Sequence, residues 1–122
     1  MSRLVGTQGE ALVANYLRDR GYTIREASFY CRFGEIDLIA QKDKLLCFVE
    51  VKLRSNVSFG LPREAVDIKK QRKLLAAAEY YLSLQEEEWQ VRFDVAEVYM
   101  DRNHCKKTAR IEYIMAAFEN QH

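Results

Sequence analysis

The sequence predicts an α/β fold, a mixed five-stranded sheet flanked by helices in the order α β β β α β β. Three observations carry this: a helical period of apolar residues near the start, three consecutive β-rich runs, and an Ala/Leu/Lys-rich segment followed by two more β-rich runs. The chain has 122 residues, which fits a single domain against a prior of roughly 150 residues each. Hydrophobic residues make up 48% and charged residues 30%, enough apolar side chain for a core, and there are no repeats or low-complexity segments.

From Thr7 to Arg20 the residues Ala11, Val13, Ala14 and Leu17 recur at helical spacing, with Gly21 as a stop. Tyr22 to Cys31, Glu35 to Ala40 and Leu45 to Leu53 then read as strands, the last two forming a hairpin across Gln41-Lys42-Asp43-Lys44. Ser55 to Pro62, with Gly60 and the only proline, is a loop, and Arg63 to Gln85 is a segment of good helix formers. Glu86, Glu87 and Glu88 form a solvated connector. Val91 to Met100 and Thr108 to Phe118 complete the strands, separated by the polar stretch Asp101 to Lys107.

Composition removes several chemistries. Cys31, Cys47 and Cys105 are odd in number and lack CxxC spacing, which speaks against a disulfide framework or structural zinc and fits a cytoplasmic protein. Glu10 interrupts the N-terminal apolar residues, and no run approaches the ~18 needed to span a bilayer, so no membrane partner or cleaved leader is expected. His104 and His122 are the only histidines, leaving carboxylates and lysines to carry any catalysis. Nineteen Lys and Arg against eighteen Asp and Glu give a net charge of +1, so a nucleic-acid partner must be argued from local charge.

The informative charges stand where the pattern expects apolar residues. Along Leu45 to Leu53 the odd positions are wholly apolar, whereas Glu50 and Lys52 share the other face. Along Glu35 to Ala40, Ile36, Leu38 and Ala40 share one face, and Glu35, Asp37 and Ile39 the other. If the four-residue loop sets Ala40 opposite Leu45, then Asp37 lies opposite Phe48 and Glu35 opposite Glu50. Asp37 and Glu50 are then diagonal neighbours roughly 7 to 8 Å apart at the backbone, able to share a divalent ion. Such a cluster repels itself unless a cation neutralises it. Lys52 and Arg54 could serve, and so could Mg²⁺ or Mn²⁺, which suit an all-oxygen donor set better than zinc does. The alternative is a solvated face with an ordinary Glu50–Lys52 pair.

Two helical residues join this set. Glu10 precedes Val13, Ala14 and Leu17 by three, four and seven, which turns it toward the sheet, although Thr7-x-x-Glu10 also matches a capping box. Gln71 falls on the inward stripe with Leu74, Leu75, Ala78 and Leu82. Around it Lys69, Lys70, Arg72 and Lys73 form a local basic patch, either a solvated helix face or a contact for phosphates.

Gly34-Glu35-Ile36-Asp37-Leu38-Ile39-Ala40 followed by Phe48-Val49-Glu50-Val51-Lys52 resembles the D…ExK core of the PD-(D/E)xK, or restriction-endonuclease-like, nucleases. With Gly6-Thr7-Gln8-Gly9-Glu10-Ala11, Gly60-Leu61-Pro62, Lys70-Gln71-Arg72 and Arg92-Phe93-Asp94-Val95, nearly the whole chain resembles the YraN-like family, similar in fold to archaeal Holliday-junction resolvases. The resemblance implies a site in which Asp37, Glu50 and the Val51 carbonyl hold Mg²⁺ or Mn²⁺ and Glu10 binds through water or a second ion. Lys52 would orient the attacking water and stabilise transition-state charge, with Gln71 beside the site. One departure is the stretch Ser28-Phe29-Tyr30-Cys31-Arg32-Phe33, where the family carries Asn-aromatic-Arg. Asp94 matches the family and is expected to pair with Arg92.

The sequence thus points to a DNA-processing nuclease, with a homodimer attractive because two cuts need two sites. A nucleic-acid-binding module that does not cut, or cuts only with a partner, is the second expectation. A protein-binding adaptor using Tyr80, Tyr81 and Trp89 is the third, set against burial of these rings in the core.

Overall fold

The computed structural model describes residues 4–55, 68–100 and 109–118. Its elements are α1 (Leu4–Asp19), β1 (Thr23–Cys31), β2 (Gly34–Lys42), β3 (Leu45–Ser55), α2 (Ile68–Ser83), β4 (Gln90–Met100) and β5 (Arg110–Phe118). The five strands form one sheet in the order β1-β2-β3-β4-β5. β3 and β4 run parallel, joined through α2, and the other neighbours are antiparallel. The expected order and architecture are therefore present. The expected Ser55 to Pro62 loop, the expected helix start at Arg63 and the Asp101 to Lys107 connection fall on or run into residues outside the described ones.

Each sheet face is covered by one helix, giving two cores. Val13, Ala14 and Leu17 of α1 bury Leu38, Ala40, Cys47, Val49, Ala96, Val98 and Met100. Leu74, Ala77, Ala78 and Tyr81 of α2 bury Ile36, Ile39, Leu46, Phe48, Phe93 and Val95 on the other face. A central strand covered on both sides has no polar face to spare, which explains why β3 is apolar in both phases until Glu50. α1 stops where the sequence places its end: Gly21 N donates to Arg18 O and Tyr22 N to Leu17 O, both at 3.0 Å. Among the described residues, no helix is long and apolar enough to cross a membrane.

Two expectations are corrected. The β2–β3 hairpin closes through Asp43 and Lys44 alone, with Asp43 at φ 54° and Lys42 paired to Leu45. Ala40 thus faces Cys47 rather than Leu45, because the shorter turn moves the whole register by two residues. Ile36 belongs to the α2 core while Leu38 and Ala40 belong to the α1 core, so alternation breaks at Asp37. The β1–β2 ladder shifts register elsewhere, between Ile24 and Glu26; at Ser28, with φ 54°, and Asp37 the pairing skips one step, but Ala27↔Leu38 and Phe29↔Ile36 keep one register across it.

Candidate functional site

The β2–β3 ladder ends at Leu38↔Val49. Extended by one step, its register would set Asp37 opposite Glu50, not opposite Phe48. Beyond this point β2 parts from β3, which frees the Val51 N–H from its ladder. That donor needs a partner, and it finds Asp37 Oδ2 at 2.8 Å. The fork between the strands is therefore held by a side chain. Asp37 also hydrogen-bonds with Glu50, which is only 4% exposed. Burial, then the charge of Glu50, push the Asp37 carboxyl up to about 8, with Glu10 contributing further. Two carboxylates brought together out of water thus keep a proton between them near neutrality.

Glu50 has a second neighbour that the sequence assigned to phosphate contact. Lys70 forms an ion pair with the Glu50 carboxylate. Burial opposes the charge on Lys70, but the hydrogen bond and charge of Glu50, with Asp37 and Glu35 beyond, hold the ammonium above the usual lysine range. A helical signal for this existed: Lys70 precedes the buried Leu74, Ala77, Ala78 and Tyr81 by four, seven, eight and eleven.

Two glycines bring the helices to this spot. A Cβ on Gly9 would lie 3.0 Å from Leu53 Cδ2 and 3.5 Å from Val51 Cγ1, so α1 packs closely on this end of β3 and a larger residue there would have to push the Leu53 side chain aside. The neighbouring Glu10 then reaches β1, its Oε1 accepting from Ser28 Oγ at 2.8 Å. Because α1 begins at Leu4, Thr7 lies inside the helix and is not its cap, which removes the capping-box alternative for Glu10. A Cβ on Gly34 would meet both Lys73 Cβ and the Lys73 carbonyl at 3.4 Å, so the first turns of α2 lie close over the β1–β2 turn.

The other expected site residues are placed as follows. Lys52 is half-buried, two positions after Glu50 on the same face of β3, and Gln71 is half-buried on α2 next to Lys70. Lys69, Lys70, Arg72 and Lys73 all lie exposed on the first turns of α2. Arg54 serves a carboxylate the sequence reading missed: it is 3.2 Å from Glu97, a residue 1% exposed that also accepts from Tyr99 at 3.2 Å. Glu97 lies beside Lys52 in the parallel ladder. Its signal was available, since Phe93, Val95 and Glu97 alternate along β4. Among the described residues, no group of three or more His, Cys, Asp and Glu is disposed to hold a metal ion. Asp37 and Glu50 stand as a hydrogen-bonded pair, and Glu10, held by Ser28, is near enough to act on Asp37 through its charge.

Asp94 is separate, on the α1 face, and pairs with Arg92 at 2.9 Å as expected. It is fully buried and also accepts from Tyr113 at 2.5 Å and from Ala116 N at 2.9 Å. Ala116, at φ 52°, sits where the β4–β5 register shifts, so Asp94 fastens that irregularity. The three aromatic residues considered for an adaptor divide: Tyr81 is core, Trp89 packs against it half-buried, and Tyr80 is 39% exposed.

Among the described residues, fold and site define a mixed five-stranded α/β sheet flanked by two helices, with a buried carboxylate pair and an adjoining lysine at a fork in the sheet. A family model for the uncharacterised protein family UPF0102 matches residues 9–98, and the chain belongs to that family. It is 45% identical over 118 residues to a UPF0102 protein of Caldanaerobacter subterraneus subsp. tengcongensis, covering 95% of each chain. It is 39% identical over 121 residues to one of Alkaliphilus oremlandii, covering 97% of this chain and 100% of the relative. A third, from Chlorobium chlorochromatii, is 44% identical over 116 residues, with 93% and 90% covered.

Proposed function

We propose that this protein is a metal-dependent nuclease of the YraN-like, restriction-endonuclease-like type, acting on DNA, with branched Holliday-junction-like molecules as its leading substrates. The observation that carries this is the Asp37–Glu50 pair at the β2–β3 fork. Evolving a purely structural site would replace one carboxylate with an amide, since burying two acids together is destabilising. An all-oxygen pair that repels itself fits a hard divalent cation, whose charge would displace the shared proton.

Asp37, Glu50 and the Val51 carbonyl would hold Mg²⁺ or Mn²⁺, with Glu10 contributing through water, and the ion would supply Lewis-acid polarisation of the phosphodiester and a more acidic water. Lys52, on the Glu50 face, would orient that water and offset charge building on the phosphate oxygens. Gln71 would hold the water or phosphate from the helix side. Exposed Lys69, Arg72 and Lys73 would bind flanking phosphates, a sequence-independent, salt-sensitive contribution. Cutting both strands of a junction takes two such sites and therefore a homodimer in the cytoplasm.

The test is cleavage of four-way, nicked and single-stranded DNA with Mg²⁺ or Mn²⁺. Activity should fall about a hundredfold or more in Asp37→Ala, Glu50→Ala and Lys52→Ala. Identical behaviour of wild type and variants on every substrate would refute the assignment. One observation favours a second function, a binding module that does not cut: Lys70 already neutralises Glu50. Calorimetric titration of Mn²⁺ separates the two, since a nuclease site binds the ion in wild type and loses it in Glu50→Ala.

A further inference from the structure

We propose that the exposed aromatic cluster formed by the β1–β2 turn and α2 is a stacking platform for unpaired bases of a nucleic-acid strand entering the site. This rests on the nuclease reading and, among branched DNA, favours substrates with unpaired segments over fully paired four-way junctions. Phe33 in the turn is 38% exposed and Tyr80 on α2 39%, with Tyr30 at 61% beside them. The Phe33 and Tyr80 rings touch, with centroids 5.9 Å apart and planes inclined at 51°, and together leave their outer faces to solvent. Phe29 supports Tyr80 from below at 6.4 Å, and the Arg32 guanidinium lies 4.7 Å from the Phe33 ring centre. Next to them Phe29, Tyr30, Cys31, Arg32, Tyr80 and Leu84 line an open pocket of about 420 Å³.

Large aromatic rings held half in water by a rigid frame usually mark a contact surface. The surroundings favour a nucleic acid as the occupant. An arginine on an aromatic ring gives a base a cationic and a π surface together, and the platform is continuous with the basic start of α2. Gly34, which follows Phe33, packs against Lys73, and one turn back Lys70 reaches Glu50. Tyr80 is ten residues beyond Lys70, about 15 Å along a helix axis, a span of a few nucleotides. A strand whose phosphates follow Lys69 and Lys73 would thus lay its bases on Tyr80 and Phe33.

Fluorescence anisotropy in EDTA with a labelled oligothymidylate and a blunt duplex of equal length tests this. Phe33→Leu and Tyr80→Leu, which keep apolar volume but lose the ring, should weaken single-strand binding about tenfold or more. Phe33→Trp should retain it, and duplex binding should not change. An apolar protein-docking surface would tolerate leucine, so leucine variants that bind the oligonucleotide like wild type overturn the platform. If Glu50→Ala nevertheless abolishes cleavage, only the platform falls. A wild type that neither binds nor cuts any DNA overturns both.

Discussion

Asp37 is under strain from its own charge, and that strain has a measurable sign. Its carboxyl is raised from 3.8 to about 8, so the folded state holds a proton that the unfolded chain releases. The corresponding stabilisation is complete below pH 3.8 and is lost as pH climbs through 8. Metal-free protein should therefore melt at a lower temperature at pH 8.5 than at pH 5, roughly the two sides of this titration. Asp37→Asn, which can still accept from Val51 N, should remove that loss and stabilise the metal-free protein at pH 8 by about 1 to 2 kcal/mol while abolishing cleavage. Thermal melts across the pH range check this; an Asp37→Asn profile parallel to wild type would show that the pair is not strained.

At the level of elements, the sequence disclosed most of the fold because its period changes from helical to alternating at Tyr22 and back after Pro62. It did not disclose the β2–β3 register. Gln41 to Lys44 lacks the Asn-Gly or Asp-Gly that would mark a two-residue turn, and Asp43 occupies the positive φ that glycine would have signalled. Glu10, Asp37, Glu50 and Lys52 were legible as charges breaking apolar phases. The Lys70 partnership had only the helical period as its signal, and three neighbouring cations outweighed it by reading as a solvated face. The strand fork was hidden because Asp37 lies inside a β-rich run with no glycine or proline to mark where β2 leaves β3. The β1–β2 turn depends on Gly34: at φ +154° an alanine is strained by its own backbone, although its Cβ would only touch Lys73 Cβ and carbonyl at 3.4 Å. The variant should lose about 1 to 3 kcal/mol in urea unfolding.

For the whole molecule, the near-neutral charge sums two local excesses, carboxylates at the fork and cations on α2. A second buried network governs global stability at high pH. Burial, then Asp94, push the Cys47 thiol from 9.0 to about 12, and burial and Asp94 also raise the Tyr113 phenol far above its usual range. Both groups bind protons more tightly when folded; the Cys47 contribution is complete below pH 9 and is lost as pH rises toward 12, while that of Tyr113 is complete below pH 10 and persists through that range. The midpoint in urea should fall steeply above pH 9, and Cys47→Ser should shift that onset upward.

The sheet also sets an order of assembly. β1, β2 and β3 meet through two-residue turns, whereas β3 reaches its parallel neighbour β4 only after α2 has crossed. Local pairings close small loops and form early, and the parallel pairing closes a much longer one. Asp37 and Glu50 both belong to the local meander, so their mutual repulsion is encountered on the way up the folding barrier rather than after it. Asp37→Asn should accordingly speed refolding at pH 8, whereas substitutions in β5 should mainly speed unfolding, a difference that stopped-flow chevrons resolve.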